Sequence, residues 1–284
     1  MGYGKWSSTS YHNYRKSYAG KGRDDIFTAN RHGRIDPKLD PFRIGRRESR
    51  DSVEHPNSVP IALFLDVTGS MGMIPEDLVR NQLGTIMDTL LQRGVADPQL
   101  MFSGIGDQYS DRAPLQVGQF ESSTELINDG LGRLWLEGGG GGSGEESYAL
   151  AWQTMARHTS IDSFEKRGKK GFLFTVGDER YHTTVEAQLQ MKVFGYNRAN
   201  RESAQALLRE AQEQYHVFHV HINSTGYRNN TRVIGQWREV LGDHFLILND
   251  HTRLGELVAA VVTQFSKEEH AEWAYAPELA GLLQ

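Results

Sequence analysis

Residues 59–72 read Val59-Pro60-Ile61-Ala62-Leu63-Phe64-Leu65-Asp66-Val67-Thr68-Gly69-Ser70-Met71-Gly72. The first seven side chains carry neither charge nor a hydrogen-bonding group, which is typical of a strand buried on both faces of a parallel sheet. The polar and glycine residues that follow predict a loop. Residues 76–93 then have apolar residues at helical spacing, namely Leu78, Leu83, Ile86, Met87, Leu90 and Leu91. The stretch therefore predicts a strand, a polar loop and a helix in succession.

The same alternation continues along the chain. Further strands are predicted at residues 99–105, 115–120, 171–176, 216–222 and 245–248. Further helices are predicted at residues 124–134 and 145–158, within 184–214, and at 230–241 and 253–265. This order indicates an α/β fold, with a doubly wound, mostly parallel sheet and helices on both faces. We place this domain at residues 58–268, after an arm of residues 1–57 and before a tail of residues 269–284.

The composition limits the chemistry that the chain can perform. Its 284 residues include no cysteine, so metal ligands have to be oxygen or imidazole. No run approaches 18 consecutive apolar residues, and the first residues lack the apolar segment of a secretory signal. We therefore predict a cytoplasmic protein that does not enter a membrane.

Charge is distributed unevenly along the chain. Residues 1–57 contain 12 Lys or Arg against 7 Asp or Glu, whereas the rest contains 19 against 29. The arm shows neither helical nor strand periodicity, so we expect it to be extended or conditionally ordered. Its excess of only five positive charges favours docking on its own acidic body or on a neighbour over binding of nucleic acid. Nucleic acid remains an alternative because aromatic residues are interleaved with the basic ones, at Tyr3, Trp6, Tyr11, Tyr14 and Tyr18.

The first loop places oxygen atoms at alternate positions. Asp66, Thr68 and Ser70 supply one carboxylate and two hydroxyls, and Gly69 lets the chain fold tightly around a point. Such hard ligands suit Mg²⁺ or Mn²⁺, and neutral hydroxyls leave the ion with positive charge for an incoming anion. The loop therefore predicts a metal site that accepts a carboxylate from outside.

Other predicted strands also end in acidic or hydroxyl residues. Loops that follow parallel strands meet at one edge of a doubly wound sheet, so we expect these residues to lie near the first loop. They are Asp107 after the second strand, Ser143, Glu145 and Glu146 after a glycine run, and Asp178 and Glu179 after residues 171–176.

The residues quoted above resemble the metal-ion-dependent adhesion site of von Willebrand factor A (vWA) domains. That pattern has Asp-x-Ser-x-Ser in the first loop, a Thr in the second and an Asp in the third. Asp66, Thr68 and Ser70 match the first loop directly, and Asp178 corresponds to the third-loop Asp, although the order here is Gly-Asp rather than Asp-Gly. The resemblance implies a vWA fold over about residues 58–268.

The second loop departs from the adhesion-site pattern. Residues 138–144 are glycine except for Ser143, so Ser143 could replace the usual Thr, or Glu145 or Glu146 could reach the ion. This loop is similar to that of an intracellular branch of bacterial and phage vWA proteins. The resemblance implies a noncatalytic module whose Mg²⁺ (or Mn²⁺) binds an Asp or Glu of a protein partner. Partners implied are an AAA+ ATPase or other complex subunit, or a second copy of the chain.

Two other functions are consistent with parts of the sequence. Asp66 could act as the nucleophile of a metal-dependent phosphohydrolase, but that chemistry needs a second acid two residues later, where this chain has Thr68. The glycine run could cradle a phosphate, but it lacks the Gly-Lys-Ser/Thr ending of a nucleotide-binding loop.

Three histidines fall on one predicted strand. Side chains alternate along a strand, so His219 and His221 share a face and His216 lies on the other. A zinc site would need a third ligand that the neighbouring sequence does not offer, and we interpret these residues as partially buried strand histidines.

Two further polar pairs are interpreted as structural. Asp111 either accompanies Asp107 near the ion or pairs with Arg112, and we favour the pairing. Tyr181 and His182 are assigned to packing and loop structure, with no role in the site.

Overall fold

The central element of the computed structural model is the apolar strand that the sequence predicts. The structure describes residues 4–139 and 143–267. The strands are β1 (Arg47–Ser49), β2 (Ser58–Asp66), β3 (Asp97–Ile105), β4 (Leu115–Gln116), β5 (Glu145–Glu146), β6 (Thr159–Ile161), β7 (Gly171–Gly177), β8 (Arg180–Tyr181), β9 (Thr184–Val185), β10 (Glu202–Ser203), β11 (Tyr215–Ile222) and β12 (Phe245–Leu248).

Six strands form the main sheet, in the order β12-β11-β7-β2-β3-β4. All neighbours are parallel except β3 and β4. The predicted strand at residues 115–120 is shorter than expected, because the N–H of Val117 donates to Leu39 and that of Gly118 donates to the Ser103 hydroxyl instead of extending the ladder. Three further pairs of short strands are formed in the described residues by β1 with β6, β5 with β8 and β9 with β10, and an isolated bridge joins Leu100 to Glu121.

Helices cover both faces of this sheet. They are α1 (Ser8–Ser17), α2 (Arg23–Ile26), α3 (Ile74–Asp77), α4 (Leu83–Gln92), α5 (Thr124–Gly132), α6 (Tyr148–Arg157), α7 (Asp162–Arg167), α8 (Ala187–Phe194), α9 (Ala204–Gln214), α10 (Thr231–Leu241) and α11 (Leu254–Lys267). Along β2, Leu63 and Leu65 pack towards α4, α5 and α11, while Ala62 and Phe64 pack towards α6, α9 and α10. The predicted doubly wound α/β fold is confirmed.

Two predicted helices differ at their starts. The helix predicted over residues 76–93 consists of α3, a π-helical turn at Leu78–Gln82, and α4. The side chain of Gln82 accepts a hydrogen bond from the N–H of Gly255, at 2.9 Å, and so ties this turn to α11. The helix predicted over residues 145–158 begins only at Tyr148, because Glu145 and Glu146 pair with β8 instead.

The arm, which the sequence predicts to be extended or conditionally ordered, contains helices α1 and α2 and packs on the body. Ser7 caps α1 by accepting a hydrogen bond from the N–H of Ser10. Tyr11 is buried against Gly84 of α4, and the indole N–H of Trp6 donates to Asp88 at 2.8 Å. These contacts hold the arm against the body and supply the apolar burial that the arm's own periodicity does not show.

The predicted tail of residues 269–284 lies outside the described residues, as does Tyr3 of the arm. Within the described part of the chain, no helix has the length and apolar character needed to cross a membrane.

Replacing Gly84 by alanine is expected to lower the free energy of unfolding by about 1–3 kcal/mol. The added Cβ would lie 2.4 Å from Cε1 of the buried Tyr11 ring. Gly130→Ala is the matched control, because Gly130 is also helical and has no described atom within 4 Å of the new Cβ. The control should be neutral or stabilising by up to about 1 kcal/mol. Urea denaturation measures both, and equal effects would contradict the packing of Tyr11 on Gly84.

Candidate metal centre

The first loop folds back over the end of β2. Asp66 is fully buried, and its Oδ1 accepts hydrogen bonds from the backbone N–H of Thr68, at 2.8 Å, and from the Thr68 hydroxyl, at 2.6 Å. The hydroxyls of Thr68 and Ser70 are 3.3 Å apart. The alternate spacing therefore brings all three oxygen-bearing side chains together, as the sequence predicts.

Gly69 is required for the close approach of two loops. Its N–H donates to the carbonyl of Gly139, and a Cβ at this position would lie 3.1 Å from the carbonyl oxygen of Gly138. A side chain here would press on backbone rather than on a movable group. The first loop and the glycine-rich loop are thus held against each other.

The loop after β7 brings Asp178 to the same place. Asp178 is buried, and its Oδ1 accepts a hydrogen bond from the Ser70 hydroxyl at 2.8 Å. Its Oδ2 is also buried and has no hydrogen-bond partner among the described residues. Ser70 therefore links the first and third loops, and one carboxylate oxygen is left for another ligand.

Tyr148 is a part of the site that the sequence analysis missed. Its hydroxyl lies 3.5 Å from Oδ2 of Asp66, and it occupies the space beside Gly177, where a Cβ would come within 1.8 Å of the hydroxyl oxygen. The glycine that ends β7 therefore makes room for a tyrosine from the start of α6. No spacing rule connects residues 148 and 177, so only the fold reveals the contact.

In the second loop Glu146 is buried and Ser143 is exposed. Glu146 is 2% exposed, and its Oε2 is buried without a hydrogen-bond partner in the described part of the chain. Ser143 is exposed, and its hydroxyl exchanges hydrogen bonds with the backbone of Glu145. The structure therefore does not bring Ser143 to the other predicted ligands, because the Ser143–Glu145 turn uses its hydroxyl locally.

The buried carboxylates repel one another. Burial, together with the charges of Asp178 and Glu179, raises the pKa of Asp66 to about 8, despite the opposing hydrogen bonds from Thr68. Burial, followed by the charge of Asp66, raises the pKa of Glu146 to about 11. Burial also raises the pKa of Asp178. Buried negative charge of this kind is stable when a cation compensates it.

The donor set fits a hard divalent cation. Asp66, Asp178 and Glu146 supply carboxylates, and Thr68 and Ser70 supply hydroxyls, which are the oxygen ligands that Mg²⁺ and Mn²⁺ prefer. Among residues 4–139 and 143–267, no group of three or more His, Asp or Glu side chains is placed so that it could hold a metal ion. Binding would therefore depend on the two hydroxyls as well as on the acids.

The three residues predicted beside the ion, Asp107, Glu145 and Glu179, all contact other side chains. His182 is buried between two of them, with Nε2 2.8 Å from Oδ1 of Asp107 and Nδ1 3.1 Å from Oε2 of Glu145. Glu179 hydrogen-bonds the side chain of Tyr227, and burial raises its pKa. His182 therefore has a positioning role that the sequence analysis did not assign to it.

The predicted pairing of Asp111 with Arg112 is wrong. Oδ2 of Asp111 accepts a hydrogen bond from the N–H of Asp107 at 2.8 Å, whereas Arg112 pairs with Glu137 at 3.2 Å. Asp111 thus shapes the loop after β3. An Asp side chain readily accepts a hydrogen bond from a backbone N–H in its own turn, and here that bond replaces an ion pair with the exposed guanidinium of Arg112.

The strand histidines lie as the alternation predicts. His219 and His221 are fully buried on one face of β11, and His216 is partly exposed. His219 stacks on Trp237 with ring centroids 3.5 Å apart, and its Nδ1 is 2.9 Å from the Thr175 hydroxyl. Burial lowers the pKa of His221 to about 4, so this ring is neutral at physiological pH.

Comparison with known proteins gives similarities of fold only. No protein-family model matches the sequence, and no curated protein matches it. The pilus adhesin SpaC from Lactobacillus rhamnosus GG, in its open conformation, is 9% identical with a TM-score of 0.48, over 78% of this chain and 31% of that one. Proximal thread matrix protein 1 from the mussel byssus is 11% identical with a TM-score of 0.46, over 72% and 47%.

A protein described as von Willebrand factor type A, from Catenulispora acidiphila, is 12% identical with a TM-score of 0.41. It is matched over 73% of this chain and 42% of that one. This chain thus corresponds to less than half of each of these three proteins. Their identities are too low to transfer a site, so the candidate metal centre rests on the residues described above.

Replacing Asp66 by asparagine is expected to change how the stability of the chelator-treated protein depends on pH. The pKa of Asp66 is raised from 3.8 to about 8 in the folded chain, so its contribution to stability is complete below about pH 4 and is lost as the pH rises through 8. Asparagine keeps the Oδ1 acceptor and does not ionise. Urea denaturation between pH 5 and pH 9 should give a smaller loss of stability in the variant. Parallel curves would contradict a buried, repelled Asp66 carboxylate.

Proposed function

We propose that this chain is a cytoplasmic, metal-dependent protein-interaction module of the vWA type and not an enzyme. Asp66, Thr68, Ser70, Asp178 and Glu146 would hold Mg²⁺ or Mn²⁺, and a carboxylate of a partner protein would bind to the ion. The observation that carries the proposal is that two buried carboxylate oxygens, Asp178 Oδ2 and Glu146 Oε2, have no hydrogen-bond partner in the described chain.

The ion would supply the positive charge that attracts an acidic side chain. The protein's own residues set where that charge lies: Thr68 fixes Asp66 through two hydrogen bonds, and Ser70 joins the first loop to Asp178. Three loops from β2, β7 and the segment before α6 would then move together when the ion binds. A partner would therefore recognise both the ion and the arrangement of the loops around it.

A phosphohydrolase is less consistent with the site. A nucleophilic Asp66 would need an exposed oxygen, yet its side chain is fully buried and Oδ1 already accepts two hydrogen bonds from Thr68. Thr68 also occupies the place where such an enzyme needs a general acid. These contacts favour binding over attack on a phosphoryl group.

The arm gives little support to nucleic-acid binding. Stacking on bases requires exposed aromatic faces, but Tyr11 is buried and the side chains of Trp6 and Tyr18 are hydrogen-bonded to Asp88 and Asn128. Trp6, Tyr11 and Tyr18 thus attach the arm to the body.

Exposed apolar residues beside the site favour a protein partner. Met73 follows the first loop and is 71% exposed, and Tyr109 lies in the loop after β3 and is 70% exposed. Methionine and tyrosine are enriched in protein interfaces. A partner of this kind could be an AAA+ ATPase, another subunit of a complex or a second copy of the chain.

The double variant Asp66→Ala/Thr68→Ala is expected to lose Mg²⁺ and Mn²⁺ binding in calorimetry, because it removes two of the five proposed ligands. Its matched control is Asp250→Ala/Thr252→Ala, which breaks the same local arrangement at an exposed turn, where the Thr252 N–H and hydroxyl both donate to Oδ1 of Asp250. The control should bind both ions like the wild type.

Affinity capture with the same proteins, with and without chelator, tests the interaction. A partner should be retained by the wild type and by the control only when the ion is present. Metal binding that survives in the first variant, or capture that ignores the chelator, would contradict the proposal.

A further inference from the structure

A cavity of about 600 Å³ lies at the edge of the main sheet opposite the candidate metal centre. It is lined by residues at the starts of three parallel strands, Pro60 of β2, Phe172 of β7 and His216 of β11, whereas the candidate metal centre lies where strands end. Cavities that bind ligands commonly measure about 300–1,000 Å³. This cavity is therefore of a size that can hold a ligand or a short peptide segment.

One wall of the cavity is aromatic. The ring of His216 contacts those of Phe172 and Phe265, with ring centroids 5.4 Å and 4.9 Å away. Phe172 is buried, and His216 and Phe265 are half-buried. Burial, followed by the charges of Lys170 and His244, lowers the pKa of His216 to about 4, so this ring is neutral at physiological pH. The wall therefore offers an apolar surface against which aromatic side chains can pack.

The rim of the cavity is positively charged. Arg167, Lys169 and Lys170 line it, and among the described residues no Asp or Glu does so. Arg167 pairs with Asp51, but Nζ of Lys170 contacts a neutral group, the carbonyl of Gln212, at 2.7 Å. Lys169 and Lys170 are both exposed. The rim therefore attracts an occupant that carries negative charge.

The chain itself contains a segment of matching composition. Phe265, in the last turn of α11, lines the cavity, and the described residues end close by at Lys267. Residues 268–284 contain four Glu and no Lys or Arg, together with Trp273, Tyr275 and three Leu. The stretch from Lys267 to Trp273 can span up to about 20 Å when extended. An aromatic residue of this segment can therefore reach the cavity.

We propose that residues 268–284 dock in this cavity on the same chain, with their aromatic residues against the rings of Phe172, His216 and Phe265 and their glutamates at the basic rim. Apolar and charge complementarity both support this occupant. Continuity with α11 supports it further, because a segment joined to the rim is present at a high effective concentration. The docking does not depend on the proposed metal centre, which it leaves open at the opposite edge of the sheet.

The experiment uses the full chain with a fluorescent label at residue 276. The chain has no cysteine, so Ala276→Cys provides a single site for a thiol-reactive fluorophore. Quenching by acrylamide measures how accessible the label is, and the label should be protected relative to the same fluorophore on free cysteine. The rim variant Lys169→Glu/Lys170→Glu should abolish this protection, because it reverses two charges that line the cavity.

Two further variants make the result specific to the rim. Lys38→Glu/Lys192→Glu causes the same change of net charge at exposed lysines that do not line the cavity, and the label should stay protected. Glu268→Lys/Glu269→Lys, combined with the rim variant, exchanges the charges of the segment and the rim. Protection should return in this combination, which excludes misfolding as the cause of its loss.

The outcomes decide whether the segment docks and on which chain. The proposal is overturned if the label is quenched as readily as on free cysteine, if the Lys38 and Lys192 control loses protection as the rim variant does, or if the charge exchange restores nothing. Protection that is independent of protein concentration supports docking within one chain. Protection that grows with concentration places the segment in the cavity of a second copy and contradicts the proposal.

Discussion

The hydrogen bonds between Thr68 and Asp66 set the geometry on which the candidate metal centre depends. By donating twice to one oxygen of a fully buried carboxylate, Thr68 turns the chain back over the end of β2 and places Ser70 where it can reach Asp178. The glycine-rich loop then packs on Gly69 through backbone contacts. Three loops that are distant in sequence are thereby fixed around a small volume rich in oxygen atoms.

The sequence was sufficient for the fold because its signals were local. An apolar strand such as residues 59–65 and a helix such as α11 are recognisable from periodicity alone, and their alternation limits the topology. The spacing of Asp66, Thr68 and Ser70 likewise predicted their convergence. Predictions failed where a distant partner decided the outcome: β8 draws Glu145 and Glu146 out of the predicted helix, and Leu39 draws Val117 out of the predicted strand.

The arm and the residues around His182 show even more clearly that contacts between distant residues cannot be predicted from local sequence. Tyr11 is buried because Gly84, more than 70 residues later, leaves room for its ring, and neither position carries a signal for the other. His182 joins Asp107 to Glu145 in the same way, across three separate segments. Residue type indicated which side chains could do chemistry, but only the packing showed that Ser143 lies apart from them and that Tyr148 lies among them.

The buried acids would link the proposed metal binding to the stability of the fold. Burial and mutual repulsion raise the pKa values of Asp66 and Glu146, so the metal-free chain has to protonate or strain these groups at neutral pH. A ligand that binds only the folded chain stabilises it by about 2.7 kcal/mol when its concentration is 100 times its dissociation constant. Strands β2, β3 and β7 are almost entirely buried. Their packing can maintain the fold despite the repulsion between the buried carboxylates. A stable core next to a repelling edge would therefore let the proposed ion binding order the loops without being required for folding.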